Sequence, residues 1–299
     1  MYEKGKISII TPTYNRAKTL HRVFESLEKQ TYKNFEWIII DDGSTDETKV
    51  LVDTWSKEVD YIRYVYQPNA GKHIAVNRAL VMATGEYTTT VDSDDEIRED
   101  AFQILIDAWN EIPEKDRKKY KNVTAKCYDP QTGKPIGASL PGGGQLDCSS
   151  LDARYIYKMN YERWGMTRTE VAIQYKSKEI GGKFYPETIM QDLCARKYIE
   201  RYIDVPLRGY YRDAGNALTK NKINKENFYL WTHNINDNMD YFKYDPKSFI
   251  KSYIGITMTG FANGYKLSHM IKNINRPLDK AITLFFAPVG LVVFWIENR

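Results

Sequence analysis

The chain has 299 residues, 42% of them hydrophobic and 27% charged, which fits one folded domain with an appendage and excludes a disordered chain. A formal net charge of +4 is too small for a nucleic-acid binder. The charge is nevertheless uneven: residues 201–299 hold 14 Lys+Arg against 8 Asp+Glu, a basic third suited to an anionic partner such as a lipid surface or a phosphate-bearing acceptor. Three cysteines without a CxxC pattern suit free thiols in a reducing compartment, and the polar start at Met1 does not resemble a signal peptide, so a cytoplasmic location is expected.

In chain order, Ile7–Ile10 is a compact β-branched run, and Leu20, Val23, Phe24 and Leu27 then recur at helical spacing. Phe35–Ile40 is a second strand, and Ser44 with Glu47 reads as a capping box opening the next helix. Tyr61–Tyr66 is a third strand, Ile74–Met82 a helix and Tyr87–Val91 a fourth strand. This alternation predicts an α/β fold with a mostly parallel sheet and helices on both faces. Phe184–Glu200 reads as helical after Pro186, and helices interrupted at Pro277 and Pro288 are expected beyond Lys222. The predicted division is a domain over 1–220, split into halves 1–110 and 111–220, followed by a helical segment over 221–299.

A polar cluster follows each of the four strands: Thr11 to Asn15, Asp41 to Ser44, Gln67 to Lys72, and Asp92 to Asp95. In an open α/β sheet the ligand crevice lies beyond the carboxyl ends of the strands, so these clusters converge on one edge. There is no GxGxxG, no GxxxxGK[ST] and no HExxH, which disfavours a dinucleotide cofactor, a P-loop and a zinc hydrolase. Carboxylates are what the edge offers. Asp92 and Asp94, with Asp95 beside them, repel one another unless a cation intervenes, and Mg²⁺ or Mn²⁺ typically takes one or two carboxylates plus substrate phosphates. Asp-Ser-Asp-Asp also reads as a cap and turn. Likewise, Asp41-Asp42-Gly43-Ser44 reads either as a strand-to-helix turn or as an acceptor for the donors of a nucleotide.

Taken together, Ile7-Ser-Ile-Ile-Thr-Pro-Thr-Tyr-Asn15, Ile38-Ile-Ile-Asp-Asp-Gly-Ser-Thr-Asp46, Asn69-Ala-Gly-Lys72 with Asn77, and Val91-Asp-Ser-Asp-Asp95 resemble the family 2 glycosyltransferases of GT-A (Rossmann-like) fold. The likeness is strong over residues 6–110 and continues weakly to about 215. It implies an inverting, metal-dependent transfer of one hexosyl or N-acetylhexosaminyl group from a nucleotide diphosphate sugar, UDP-linked by default. The acceptor would be a hydroxyl of a glycan or of a polyprenyl-diphosphate-linked sugar in surface polysaccharide synthesis. By the same resemblance Thr11, Tyr14 and Asp42 line the nucleoside pocket, Lys72 sits near the diphosphate or base, and Asp92 holds the ribose side. Asp94 ligates Mn²⁺ or Mg²⁺. Asp192, in Phe184-Tyr-Pro-Glu-Thr-Ile-Met-Gln-Asp-Leu193, is the catalytic base, with Glu187 the fallback because Gln191-Asp192 stands where many members have Glu-Asp. Arg212 falls where a loop often touches the donor phosphates. The Gln-x-x-Arg-Trp motif of processive members is absent after Asp192, and Arg163-Trp164 precedes it.

Other readings leave features unexplained. A glycoside hydrolase has no use for the Asp41-Asp42 loop, a nucleotidyltransferase usually has a Gly-rich phosphate loop, and an inactive carbohydrate- or lipid-binding module has no need of Asp92, Asp94 and Asp192. On Asp192 the alternative is an exposed helix carboxylate near Arg196. Finally, Ala281–Ile296 is a 16-residue apolar run containing Pro288 and preceded by Lys272, Arg276 and Lys280. It is short for a span of about 20 residues. It reads as a hairpin or interfacial helix through which 270–299 rests on the inner face of a membrane, or else as a buried core helix.

Overall fold

The computed structural model describes residues 2–179, 184–211 and 225–297. They form two compact units: Met1–Phe184 with Met190–Ala214, and Tyr185–Ile189 with Gly215–Arg299.

The first unit is built on a nine-stranded mixed sheet. Its N-terminal part alternates β1 (Glu3–Thr13), α1 (His21–Glu28), β2 (Phe35–Asp41), α2 (Thr48–Trp55), β3 (Ile62–Tyr66), α3 (Lys72–Met82) and β4 (Gly85–Thr90). Strands β3, β2, β1 and β4 lie side by side and parallel. Every residue of β2 is buried, as expected for a strand covered on both faces. Alternation then sorts the side chains. Ile7, Ile9, Trp37 and Ile39 meet α1, α2 and α4 (Ala101–Asn110) in the main core, whereas Ile10, Ile38 and Ile40 meet Ala75, Ala79 and Leu80 of α3. Phe24 stacks on Trp55 at 4.5 Å between ring centres, with Trp37 behind them.

The later half of this unit departs from simple alternation. After β5 (Glu96–Ile97) and α4 come β6 (Tyr120–Tyr128), β7 (Gln145–Cys148), α5 (Ser150–Tyr155), β8 (Arg163–Arg168), α6 (Thr169–Gln174), α7 (Glu187–Ala195, from Met190 onward in this unit) and β9 (Ile199–Gly209). β8 joins β4 and β6 antiparallel, β6 pairs parallel with β9, and β5 and β7 add to β9 antiparallel. The segment read as one helix to Glu200 therefore ends at Ala195 and gives way to a strand. The Ile199–Gly209 run is rich in β-branched and aromatic residues, which suits a strand.

The second unit contains α8 (Asn227–Asp237), α9 (Pro246–Ala262), α10 (Leu267–Lys272) and α11 (Pro277–Glu297). Pro277 is the first residue of α11, where its missing N–H is harmless. Pro288 lies inside an unbroken 21-residue helix, so the predicted interruption there does not occur.

Candidate functional site

The four polar loops converge as the parallel pairing requires. They leave β1, β2, β3 and β4 on one sheet edge, and hydrogen bonds between side chains and main chain tie them together. Asn15, with φ of 52°, donates its N–H to Ser44 Oγ and accepts from Thr45 N at 2.8 Å through Oδ1. Arg16 N donates to Thr48 Oγ1, and Ala17 N to Asp46 Oδ2. Ser44 thus serves the neighbouring loop rather than capping α2. The capping-box reading is corrected: Asp46 accepts from Thr48 N at the start of that helix instead.

Asp41 and Asp42 are both buried. Asp41 accepts from Ser44 N at 2.8 Å and from the Tyr64 hydroxyl at 2.6 Å. Asp42 accepts from Gln67 Nε2, Ala70 N and Gly71 N, each at 2.8 Å. Three donors from one loop occupy most of a carboxylate's capacity, so Asp42 shapes the 67–71 loop. Gly43 lets the two loops cross: its φ is 91°, and a Cβ there would come within 2.9 Å of Asn69 N.

The residues expected around the nucleoside divide. Tyr14 is 43% exposed at the end of β1, open to a ligand. Thr11 is fully buried, and its Oγ1 accepts from Trp37 Nε1 at 2.9 Å. Strand alternation turns its side chain into the main core with Ile7 and Ile9. Its hydroxyl is thus engaged by Trp37 within the core rather than facing the loops. Asn77 exchanges two hydrogen bonds with the Ser177 backbone and anchors α3 to the segment after α6.

At the end of β4 the acidic cluster sits among cations. Lys72, the first residue of α3, contacts Asp92 at 2.7 Å. Arg16 approaches Asp94 at 3.8 Å, and Arg22 donates to the Asp94 carbonyl at 3.0 Å. Thr19 holds the Ser93 carbonyl. Arg208, buried on β9, lies 3.5 Å from Asp95 and 2.5 Å from Glu162. Burial works against the Asp92 charge, yet Lys72 and Arg208 outweigh it and hold this carboxyl below the usual range. Burial and the Asp92 charge push Asp94 up, and burial lifts Asp95 to about 7 against the pull of Arg208. The three neighbours therefore differ in readiness to ionise, as their burial and partners dictate.

Arg16, Arg22 and Arg208 have no role in the sequence analysis above, where Asp95 figures only as a neighbour of Asp92 and Asp94. Arg16 and Arg22 follow the first polar cluster closely and were within its reach, but nothing local links Arg208 to Asp95. A strand pairing between β5 and β9 makes that contact.

Among the described residues no group of three or more His, Cys, Asp or Glu side chains forms a metal cage. Asp94 nevertheless fits a divalent ion shared with a substrate. It is a hard oxygen donor whose own charge is disfavoured by burial and by Asp92, so a cation there would relieve both.

Asp192 is in α7 and its side chain is fully buried. Arg154, on α5, contacts both carboxylate oxygens, at 2.8 and 2.9 Å. The helix carrying Arg154 is capped by Ser149, which accepts from Asp152 N. Asp192 is therefore not an exposed helix carboxylate. Glu187 is exposed in the first turn of α7 and belongs to the second unit. Arg212 lies outside the described residues.

Comparison with known proteins locates this geometry. Residues 8–116 match the family described as "Glycosyl transferase family 2". The chain is 39% identical over 111 residues to "Glycosyltransferase GlyG" of Streptococcus pneumoniae, covering 37% of this chain and 36% of that one. It is 37% identical over 130 residues to the "GalNAc(5)-diNAcBac-PP-undecaprenol beta-1,3-glucosyltransferase" of Campylobacter jejuni, covering 43% of this chain and 40% of that one. The matches thus span about two fifths or less of these relatives. In three dimensions the chain resembles S. aureus TarS 1–349, solved in complex with UDP-GlcNAc, with a TM-score of 0.68 over 98% of this chain and 91% of that one, at 18% identity. That likeness concerns the fold, which is the GT-A α/β arrangement with a C-terminal helical part. The matched segment, residues 8–116, carries all four polar loops and resembles glycosyl transferase family 2.

Proposed function

We propose that this protein is an inverting glycosyltransferase that moves one hexosyl or N-acetylhexosaminyl group from a nucleotide diphosphate sugar, by default a UDP-sugar, to an acceptor hydroxyl. The observation that carries the proposal is the pairing of Asp92 and Asp94 with Lys72 and Arg16 at the end of β4, inside the matched segment. Cations and carboxylates in alternation suit a diphosphate with its counter-ion, since phosphate oxygens take the Lys and Arg while the ion takes the Asp. Tyr14 offers an exposed ring for the nucleoside, and the loop shaped by Asp42 forms the adjoining wall. Arg212 is proposed as a further phosphate contact.

Asp94 would hold Mn²⁺ or Mg²⁺, with Asp92 oriented by Lys72 toward the ribose. The ion, when bound, neutralises charge that builds on the leaving diphosphate. The acceptor hydroxyl attacks the anomeric carbon, its bond to the diphosphate oxygen breaks, and the nucleoside diphosphate departs with the electron pair. The hydroxyl proton passes to Asp192, and one direct displacement inverts the anomeric centre. The contact with Arg154 fixes where that carboxylate points. The C. jejuni relative is named for an undecaprenol-linked acceptor, which supports a glycan on a polyprenyl diphosphate as acceptor and a role in surface polysaccharide synthesis.

A screen of UDP-sugars for UDP release, with Mn²⁺ or with EDTA, tests this reading. Asp94→Ala should abolish the metal-dependent release with little change in folding, since the residue lies in a loop. Activity of Asp94→Ala equal to wild type in EDTA would remove the metal from the scheme, and calorimetric UDP binding at no concentration would remove the nucleotide.

A further inference from the structure

The second unit turns the usual polarity of a helix inside out. On α11 the stripe packed inward consists of Asp279, Thr283, Ala287 and Gly290. Asp279 is buried, bonded to Tyr253 of α9 at 2.6 Å and to Arg276 at 2.5 Å. Gly290 meets α9 so closely that a Cβ would come within 1.9 Å of Thr257 Oγ1. The side chains turned outward are large and apolar: Phe285 is 77% exposed, Ile296 64%, Trp295 62% and Val292 57%. A surface helix of a water-soluble domain keeps its apolar stripe inward and its polar face in water. Small and hydroxyl residues packed helix to helix, with bulky apolar residues outside, are instead how helices associate against lipid.

Charge identifies the occupant. Between residues 246 and 280 the sequence has six basic residues and a single acid, Asp279, which is buried. Lys247, Lys251, Lys266 and Lys272 are exposed. In sequence, Lys272, Arg276 and Lys280 cluster around the start of α11, ahead of its apolar residues, and Trp295 lies near its far end. Basic residues at one end and an amphipathic ring at the other suit the headgroup and acyl boundary of an anionic leaflet. A second copy of this chain would bring the same cations against one another.

We infer that the outward face of α11 is a membrane-docking surface that inserts Phe285, Val292, Trp295 and Ile296 into an anionic phospholipid bilayer, with Lys272 and Lys280 on the headgroups. This stands apart from the reaction assigned above, because binding to lipid requires no turnover. The test is co-sedimentation of the full-length protein with vesicles of phosphatidylcholine and phosphatidylglycerol, alongside pure phosphatidylcholine vesicles and a salt series. Wild type should pellet with the anionic vesicles and be released as salt rises. Lys272→Gln with Lys280→Gln should weaken binding about 25-fold, from about five-fold for each charge near an anionic surface. Phe285→Ser with Trp295→Ser should abolish pelleting while melting temperature and circular dichroism stay at wild type, since both side chains are exposed. Wild type that stays in the supernatant with anionic vesicles, or a Phe285→Ser/Trp295→Ser protein that pellets as wild type does, overturns the inference. Sedimentation velocity completes the test: a dimer without lipid that the same two substitutions dissociate assigns the face to a second copy and also overturns it.

Discussion

Replacing Glu36 by Gln should separate stability from activity in this protein. Glu36 is near the start of β2, away from the edge that carries the polar loops, and its side chain is only 6% exposed. Its carboxylate accepts from Ser8 Oγ, Thr84 N and Thr84 Oγ1 at 2.7 Å each and from Arg63 at 2.8 Å, so it joins β1, β2, β3 and the turn before β4. Burial opposes ionisation, but these four donors prevail and lower the carboxyl from 4.5 to about 2. A carboxyl lowered this far corresponds to about 3 kcal/mol of stability at neutral pH. The folded pKa is depressed, so this contribution is complete above the unfolded value, near 4.5, and fades as pH falls toward 2. Gln offers one acceptor oxygen and no charge. Urea denaturation followed by tryptophan fluorescence should show Glu36→Gln about 2–3 kcal/mol less stable at pH 7. About 2 kcal/mol of that difference should be gone by pH 3. UDP affinity of the folded variant should match wild type. A loss below 1 kcal/mol at pH 7, or a difference independent of pH, would refute the argument.

Substitutions at four further positions examine the site. Thr11→Val should strand the buried Trp37 indole N–H and lower stability by about 1–3 kcal/mol in the same denaturation assay, with UDP affinity by calorimetry unchanged; a selective loss of affinity would restore Thr11 to the pocket. Asp42→Asn should place an amide where the carboxylate now meets Ala70 N and Gly71 N, so UDP binding should weaken by about ten-fold or more through loss of the loop's shape, since unmade buried bonds cost about 1–3 kcal/mol each. Asp192→Asn should cut transfer by roughly two to four orders of magnitude with UDP binding intact, and wild type should give inverted product by proton NMR. Arg154→Lys should retain more of that rate than Arg154→Met, and equal rates for both would remove Arg154 as a positioning residue.

The parallel half of the sheet was legible in the sequence because β1 and β2 carry continuous apolar runs and each of the four strands is closed by a polar cluster. Ile7–Ile10 and Phe35–Ile40 both fall inside observed strands. In the other half, β5 and β7 have two and four residues, too short to show a period. At the site, sequence could place Asp92 and Asp94 at a strand end but could not orient Thr11, whose side-chain direction depends on the register of β1 against Trp37. Arg208 and Arg154 were invisible for a different reason: each meets its carboxylate only through long-range packing, 113 and 38 residues away along the chain.

The stitching of the polar loops has a consequence for anyone rebuilding this protein. Asn15 answers to Ser44 and Thr45, Arg16 to Thr48, and Asp42 to the whole 67–71 turn. No one of these loops is an independent part. A graft that exchanges the 41–48 loop alone breaks the bonds made by its two neighbours, even when every transplanted residue comes from a working relative. The smallest exchangeable cassette is the set of three, roughly residues 11–72, moved together with the strands that hold them in register.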